Sequence, residues 1–166
     1  MTEREFVAGI VLYNPEDNQF IDSIQRLIEL EVSVVVFDNS NSDPVRLRNE
    51  GNIKSNHFDD VTYLSSTRGN IGLAKAYNKI VLEIRSRICS KGLFLFDQDT
   101  FINKEAIDIL IETFRFLEKK EDFASVSGFP VRENGVPYRF HVFDKRQTKE
   151  DLIRVKQVPS SFSLIN

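Results

Sequence analysis

Asp97 and Asp99 stand one residue apart, directly after the apolar run Leu93-Phe94-Leu95-Phe96. A short stretch this hydrophobic on both faces predicts a buried strand. The two carboxylates then fall at its C-terminal end, where open α/β sheets place their ligands. Ionised carboxylates this close repel each other unless a cation or hydrogen-bond donors offset them. Magnesium and manganese take carboxylate, water and phosphate oxygens, often through only one or two protein carboxylates. A divalent ion carrying phosphates is the chemistry that this spacing serves best. The structural alternative, an aspartate capping the next helix, is weakened by Asn103, which is better placed as an N-cap.

Asp38 follows a second apolar run, Ser33-Val34-Val35-Val36-Phe37. Open α/β folds use an acidic side chain at that position to read a nucleoside. The carboxylate can accept a hydrogen bond from a pyrimidine imide N–H or a ribose hydroxyl. Equally, it can close an Asx-turn, because residues 38–44 are dense in turn formers. Asn39, Ser40 and Asn41 read as such turn formers.

A third stretch, Arg68-Gly69-Asn70-Ile71-Gly72, precedes a predicted helix. Glycines there allow close backbone approach, and the N–H groups of a helix start favour anions. Arg68, Asn70 and Gly72 are thus candidate nucleotide contacts, the plain alternative being a solvated loop. The segment is neither a dinucleotide fingerprint nor a P-loop. His57 and His141 lack metal-ligand spacing. There is no Gly-x-Ser-x-Gly elbow, and Ser160-Ser161 has no triad context. Tyr13, Tyr63 and Tyr77 read as core, and Asn78 as a buried polar contact.

The elements that must position these residues follow from periodicity. Val7 to Tyr13, stopped by Asn14-Pro15, reads as the first strand. Phe20, Ile24, Leu27 and Ile28 recur at helical spacing with polar residues between them, an amphipathic helix. With the strand at residues 33–37 this makes a βαβ unit, whose strands should be parallel and whose crossover right-handed. Residues 44–56 are polar and predict at most a short helix through Val45 and Leu47. Val61 to Leu64 reads as a third strand. The next helix sets Leu73, Tyr77, Ile80, Ile84 and Ile88 on one face and ends near Gly92. After the aspartates, Asn103 opens a helix with Ile107, Ile111, Phe114 and Leu117 inward, and Lys119-Lys120 suit its dipole. From Phe123 the pattern turns to strands at 123–129 and around Ile153 and Val155, with a hairpin turn at Asn134-Gly135. The expectation is an α/β region over residues 1–120 and a β-rich region over 121–166, in one domain. Residues 160–166 read as a strand at which the chain stops, so the C-terminal part is expected to be incomplete.

Composition sets the outer bounds. The 166 residues allow one domain with a real core. A formal net charge of -3 argues against a nucleic-acid partner, which wants a basic footprint. The lone Cys89 cannot form an internal disulfide and reads as a packed thiol in a reducing compartment. The N-terminus lacks the pattern of a signal peptide, and no apolar run nears the ~18 residues of a membrane span. The expected location is cytoplasmic, with attachment to the inner face of the cell membrane left open.

Taken together, Val11-Leu12-Tyr13-Asn14-Pro15, Phe37-Asp38-Asn39-Ser40, residues 68–78 and Phe96-Asp97-Gln98-Asp99 resemble the family-2 inverting glycosyltransferases, and the rhamnosyltransferases among them. The match spans roughly residues 5 to 130, and Ser160 to Ile165 resembles a family segment more loosely. The resemblance implies a GT-A fold, a Rossmann-like parallel or mixed sheet flanked by helices that binds a nucleoside-diphosphate sugar such as dTDP-rhamnose or a UDP-sugar. It implies that Asp38 contacts the pyrimidine, that Asp97 meets the ribose or metal-bound water, and that Asp99 ligates Mg²⁺ or Mn²⁺. The acceptor would be a saccharide or a lipid-linked sugar in surface polysaccharide synthesis. Lys79-Ile80 and Phe162 depart from the family pattern. The general base would lie downstream of the aspartate pair; nothing marks Asp144 or Asp151 for that part, and the chain is expected to stop before it. A non-catalytic binding module and a sugar nucleotidyltransferase are the rival readings. The second would need a glycine-rich basic loop after the first strand, which Val11 to Pro15 does not supply.

Overall fold

The computed structural model describes residues 4–87, 90–119, 125–127, 146–147, 153–154 and 163–166. The Asn134-Gly135 turn, Cys89, His141, Asp144, Asp151, Ser160-Ser161 and Phe162 lie outside them. The elements run β1 (Phe6–Leu12), α1 (Gln19–Glu29), β2 (Ser33–Asp38), α2 (Asp43–Ser55), β3 (Val61–Ser65), α3 (Leu73–Arg87), β4 (Gly92–Asp97), α4 (Lys104–Glu118), β5 (Ser125–Ser127), β6 (Arg146–Gln147), β7 (Ile153–Arg154) and β8 (Ser163–Ile165). Six strands form one sheet in the order β3-β2-β1-β4-β8-β5, and β6 pairs with β7. The first four in that order are parallel; β8 runs antiparallel between β4 and β5. This is a mixed α/β sheet flanked by helices, as the sequence implies.

Strict alternation sorts the strand residues onto two faces. Phe6, Ala8, Ile10, Leu12, Val34, Val36, Phe94 and Phe96 form one face, covered by α1 and α4. There Phe94 stacks on Phe96 at 5.6 Å, and Phe6 meets Phe114 edge-on at 5.5 Å. Val7, Val11, Val35 and Phe37 form the other, under Ala76, Ile80 and Ile84 of α3. A Cβ on Gly9 would lie 2.9 Å from Ile80 Cγ2, so glycine is what lets α3 seat on β1. Asn103 does cap α4, its Oδ1 accepting from Ala106 N at 3.0 Å.

Four expectations need correction. The polar segment around Pro44 forms not a short helix through Val45 and Leu47 but one of 13 residues, α2. Its buried side chains are Arg46, Asn49 and Ile53, so its inner face is mostly polar and gives no hydrophobic period. Leu73 is 49% exposed and Ala76 takes the buried place, because Leu73 lies in the first turn of α3, ahead of its packed stretch. Asn78 is exposed, on the side of α3 away from Ile80. Tyr13 is 46% exposed rather than core, since β1 ends at Leu12 and the chain leaves the sheet there.

Candidate functional site

Because β3, β2, β1 and β4 are parallel, their C-terminal ends share one edge. Asp38 stands opposite Leu12, and Asp97 opposite Val11, on the two sides of β1. The loops that leave this edge are joined to one another by side chains.

Asn14 has φ 44. Its N–H donates to Ser40 Oγ at 2.9 Å and its Oδ1 accepts from Asn41 N at 3.1 Å. Asn41 Nδ2 donates to the Tyr13 hydroxyl at 3.2 Å, and Tyr13 N donates to Gln98 Oε1 at 2.7 Å. The end of β1 is thereby tied to the ends of β2 and β4. Asn39 joins β2 to the 68–72 loop: its Nδ2 donates to Asn70 Oδ1 at 2.9 Å and its Oδ1 accepts from Ile71 N at 2.8 Å.

Asp38 is wholly buried. Its Oδ1 accepts from Ser40 N at 2.9 Å, which is the Asx-turn geometry. Its Oδ2 accepts from Asn49 Nδ2 at 2.8 Å and from the Tyr63 hydroxyl at 2.9 Å. Burial first, and then the charge of Asp38, push the Tyr63 hydroxyl far above the ordinary tyrosine range, so it stays a donor. Arg46 of α2 donates to Ser40 O and pairs with Asp43, while Arg48 donates to Pro15 O at 2.7 Å. The polar inner face of α2 thus braces the loops after β1 and β2. In this structure Asp38 is the centre of that brace and presents no atom to the sheet edge.

The β4 aspartates differ from it. Asp97 is half-buried; its Oδ1 accepts from the Tyr77 hydroxyl of α3 at 3.3 Å, and its backbone closes a turn with Thr100. Burial, followed by the Asp97 charge, raises the Tyr77 hydroxyl well above its usual range. Asp99 is exposed, and no hydrogen bond or ion pair among the described residues claims its carboxylate. Two carboxylates, one of them uncommitted, fit a hard divalent ion that draws its other oxygens from phosphate and water. Among the described residues no three potential ligands gather, so the described side chains alone do not complete such a shell.

The 68–72 loop is shaped for close approach. Gly69 has φ 68, and a Cβ there would lie 3.0 Å from Asn41 O; Gly72 has φ 88 with open space around it. Gly72 N donates to Asn70 Oδ1 at 2.8 Å, and the first helical bond of α3 is Ala76 N to Gly72 O. The N–H groups of Leu73, Ala74 and Lys75 precede that bond and have no acceptor within the helix. Arg68 is exposed, and among the described residues only its backbone N makes a hydrogen bond, to Ser66 Oγ at 3.2 Å. A groove of about 520 Å³ between α1 and the start of α4 includes none of these strand-end residues.

No family model and no curated protein sequence matches the chain. Among solved structures it is similar to the mannosyltransferase PcManGT from Pyrobaculum calidifontis, determined in complex with GDP-Man and Mn²⁺. The TM-score is 0.56 at 17% identity, over 79% of this chain. Over the matched residues the chain shares the α/β fold of that glycosyltransferase. The match takes in 37% of that mannosyltransferase's length.

Tyr13, Asn14, Asn39 and Gln98 hold the loops together; the sequence gives Asn39 as a turn former and Tyr13 as core, and assigns none of the four this part. The one signal they carry in sequence is position: each is polar or amphipathic and lies within two residues of a strand's C-terminal end.

Proposed function

We propose that this chain is the nucleotide-sugar-binding part of a metal-dependent inverting glycosyltransferase. The donor is a pyrimidine-diphosphate sugar, dTDP-rhamnose or a UDP-sugar, which makes the enzyme a rhamnosyltransferase or a near relative. The acceptor is a saccharide or a lipid-linked sugar in surface polysaccharide synthesis, reached at the inner face of the cell membrane. The observation that carries this reading is the sheet edge itself, where Asp97, the uncommitted Asp99 and the glycine-bearing loop into α3 all lie.

In this reading Asp99 holds Mg²⁺ or Mn²⁺, and Asp97, oriented by Tyr77, meets the ribose or metal-bound water. The bound metal supplies Lewis-acid stabilisation of the charge that gathers on the leaving diphosphate. Arg68, Asn70 and Gly72, with the free N–H groups at the start of α3, accommodate the phosphates. Asp38 serves the base indirectly, by fixing Ser40 and, through Asn49 and Tyr63, the brace behind it. Tyr13 and Asn41 offer the exposed surface there. Deprotonation of the acceptor hydroxyl is assigned to no residue of this chain. A second reading is a nucleotide-sugar-binding module that holds the donor without transferring it.

Calorimetric titration with dTDP, UDP and GDP, with and without Mn²⁺, tests the donor site. Metal-dependent binding that favours a pyrimidine nucleotide is expected. No binding by a folded chain, or equal binding without metal, overturns the proposal.

A further inference from the structure

Most described lysines and arginines are engaged. Arg4 pairs with Asp60, Lys54 with Glu50, Lys104 with Asp108, and Lys91 and Arg115 with Glu5. Among the described side chains, those of Arg68, Lys75, Lys79, Arg85 and Lys119 make no hydrogen bond or ion pair. All of these except Lys119 stand on α3 or on the loop leading into it.

Their placement on α3 is regular. Lys75, Lys79, Leu82 and Arg85 follow at steps of four, three and three, which draws one stripe along a helix. That stripe is opposite Ala76, Ile80 and Ile84, which seat α3 on the sheet. All four members are exposed, and Leu82 shows 60% of its surface in the midst of the cations. The two faces of the sheet also differ in charge. By sequence α3 carries four cations against one carboxylate, whereas α1 and α4 on the other face carry six carboxylates against three cations.

In a protein of net charge -3, a bare basic stripe with a large apolar side chain at its middle matches an anionic bilayer surface. Cations near such a surface gain from its potential, and an exposed leucine gains from entering the acyl boundary. A nucleic acid would reward the charges but not Leu82, and it fits poorly with the acidic remainder of the chain. We propose that the outer face of α3, through Lys75, Lys79, Leu82 and Arg85, rests on an anionic lipid surface. The Arg68 loop, at the head of α3, is thereby held near the membrane plane, and so is the strand edge that it borders. This names the surface by which the membrane-face reading above would operate and extends that reading. It does not depend on donor binding, so the nucleotide titration and the lipid experiment can fail separately.

The test is co-sedimentation of the full chain with phosphatidylcholine vesicles, with and without phosphatidylglycerol, across a salt series. Binding should require phosphatidylglycerol and fade as salt screens the charges. Each cation near the surface is worth roughly five-fold in partitioning, so K75E/K79E/R85E should lose on the order of a hundred-fold or more. Leu82→Ser should weaken binding at every salt concentration without changing the salt slope. Lys119→Glu, an unpaired cation on another helix, should bind as the wild type does. Thermal denaturation of each variant confirms its fold, which these exposed positions should leave intact. The proposal is overturned if folded wild type ignores the anionic vesicles, or if the triple variant binds them equally well. It is also overturned if a single-stranded oligonucleotide is bound in preference at the same salt.

Discussion

Asn39 donates from Nδ2 to Asn70 Oδ1 at 2.9 Å while its own Oδ1 accepts from Ile71 N at 2.8 Å. One side chain therefore fixes the loop entering α3 against the end of β2. Asn39 is almost fully buried, whereas Asn70 is exposed and Ile71 partly buried, so the partners regain some hydrogen bonding from water once it is gone. Asn39→Ala should cost on the order of 1–2 kcal/mol of stability, the net worth of two part-buried hydrogen bonds. It should also weaken nucleotide affinity, because the anion-facing N–H groups lose their fixed orientation. Urea denaturation and nucleotide calorimetry on the same variant check both effects.

Gly92 begins β4 in a space with no room for a side chain. A Cβ there would lie 2.8 Å from Leu164 Cδ1, 3.1 Å from Phe6 Cδ1 and 3.2 Å from Phe114 Cε2. Gly92→Ala should destabilise the fold by roughly 1–3 kcal/mol, the range for overpacking a tight core. Because Leu164 belongs to β8, hydrogen exchange at 163–165 should quicken more than exchange in β1. Unchanged stability would show that β8 does not pack where the structure puts it.

Tyr63 and Tyr77 give the fold a dependence on alkaline pH. Burial and the neighbouring Asp38 and Asp97 raise both hydroxyls above the ordinary tyrosine value. Unfolded tyrosines ionise from about pH 10, so above that pH the unfolded chain holds fewer protons than the folded one. Stability should be flat below pH ~10 on this account and fall as pH rises beyond it. Tyr63→Phe and Tyr77→Phe should each reduce the slope of that fall. Of the two, Tyr77→Phe should alter metal-dependent binding more, since its partner is Asp97.

Much of this was legible in the sequence, and what was not has physical causes. β1, β2 and β4 could be read because strands buried on both faces need unbroken apolar runs, as Val34-Val35-Val36-Phe37 shows. α2 was hidden because its buried face is built from Arg46 and Asn49, which bury through hydrogen bonds rather than through apolar area. Asp38 stood balanced between ligand and turn because its decisive partners, Asn49 and Tyr63, are 11 and 25 residues away. The insertion of β8 between β4 and β5 is a long-range pairing that periodicity cannot encode. Tyr13 was misread because an aromatic at the end of an apolar run looks like core until the strand's last residue is known.

Asp99 carries the central claim, and counting free Mn²⁺ by electron paramagnetic resonance tests it most directly. With dTDP present, the wild type should remove Mn²⁺ from the free pool, while the nucleotide alone at the same concentration removes less. Asp99→Asn should lose that difference yet melt with the wild type, because the side chain is exposed and makes no described contact. If the variant holds Mn²⁺ and nucleotide as tightly as the wild type, the metal lies elsewhere and the account of this sheet edge is wrong.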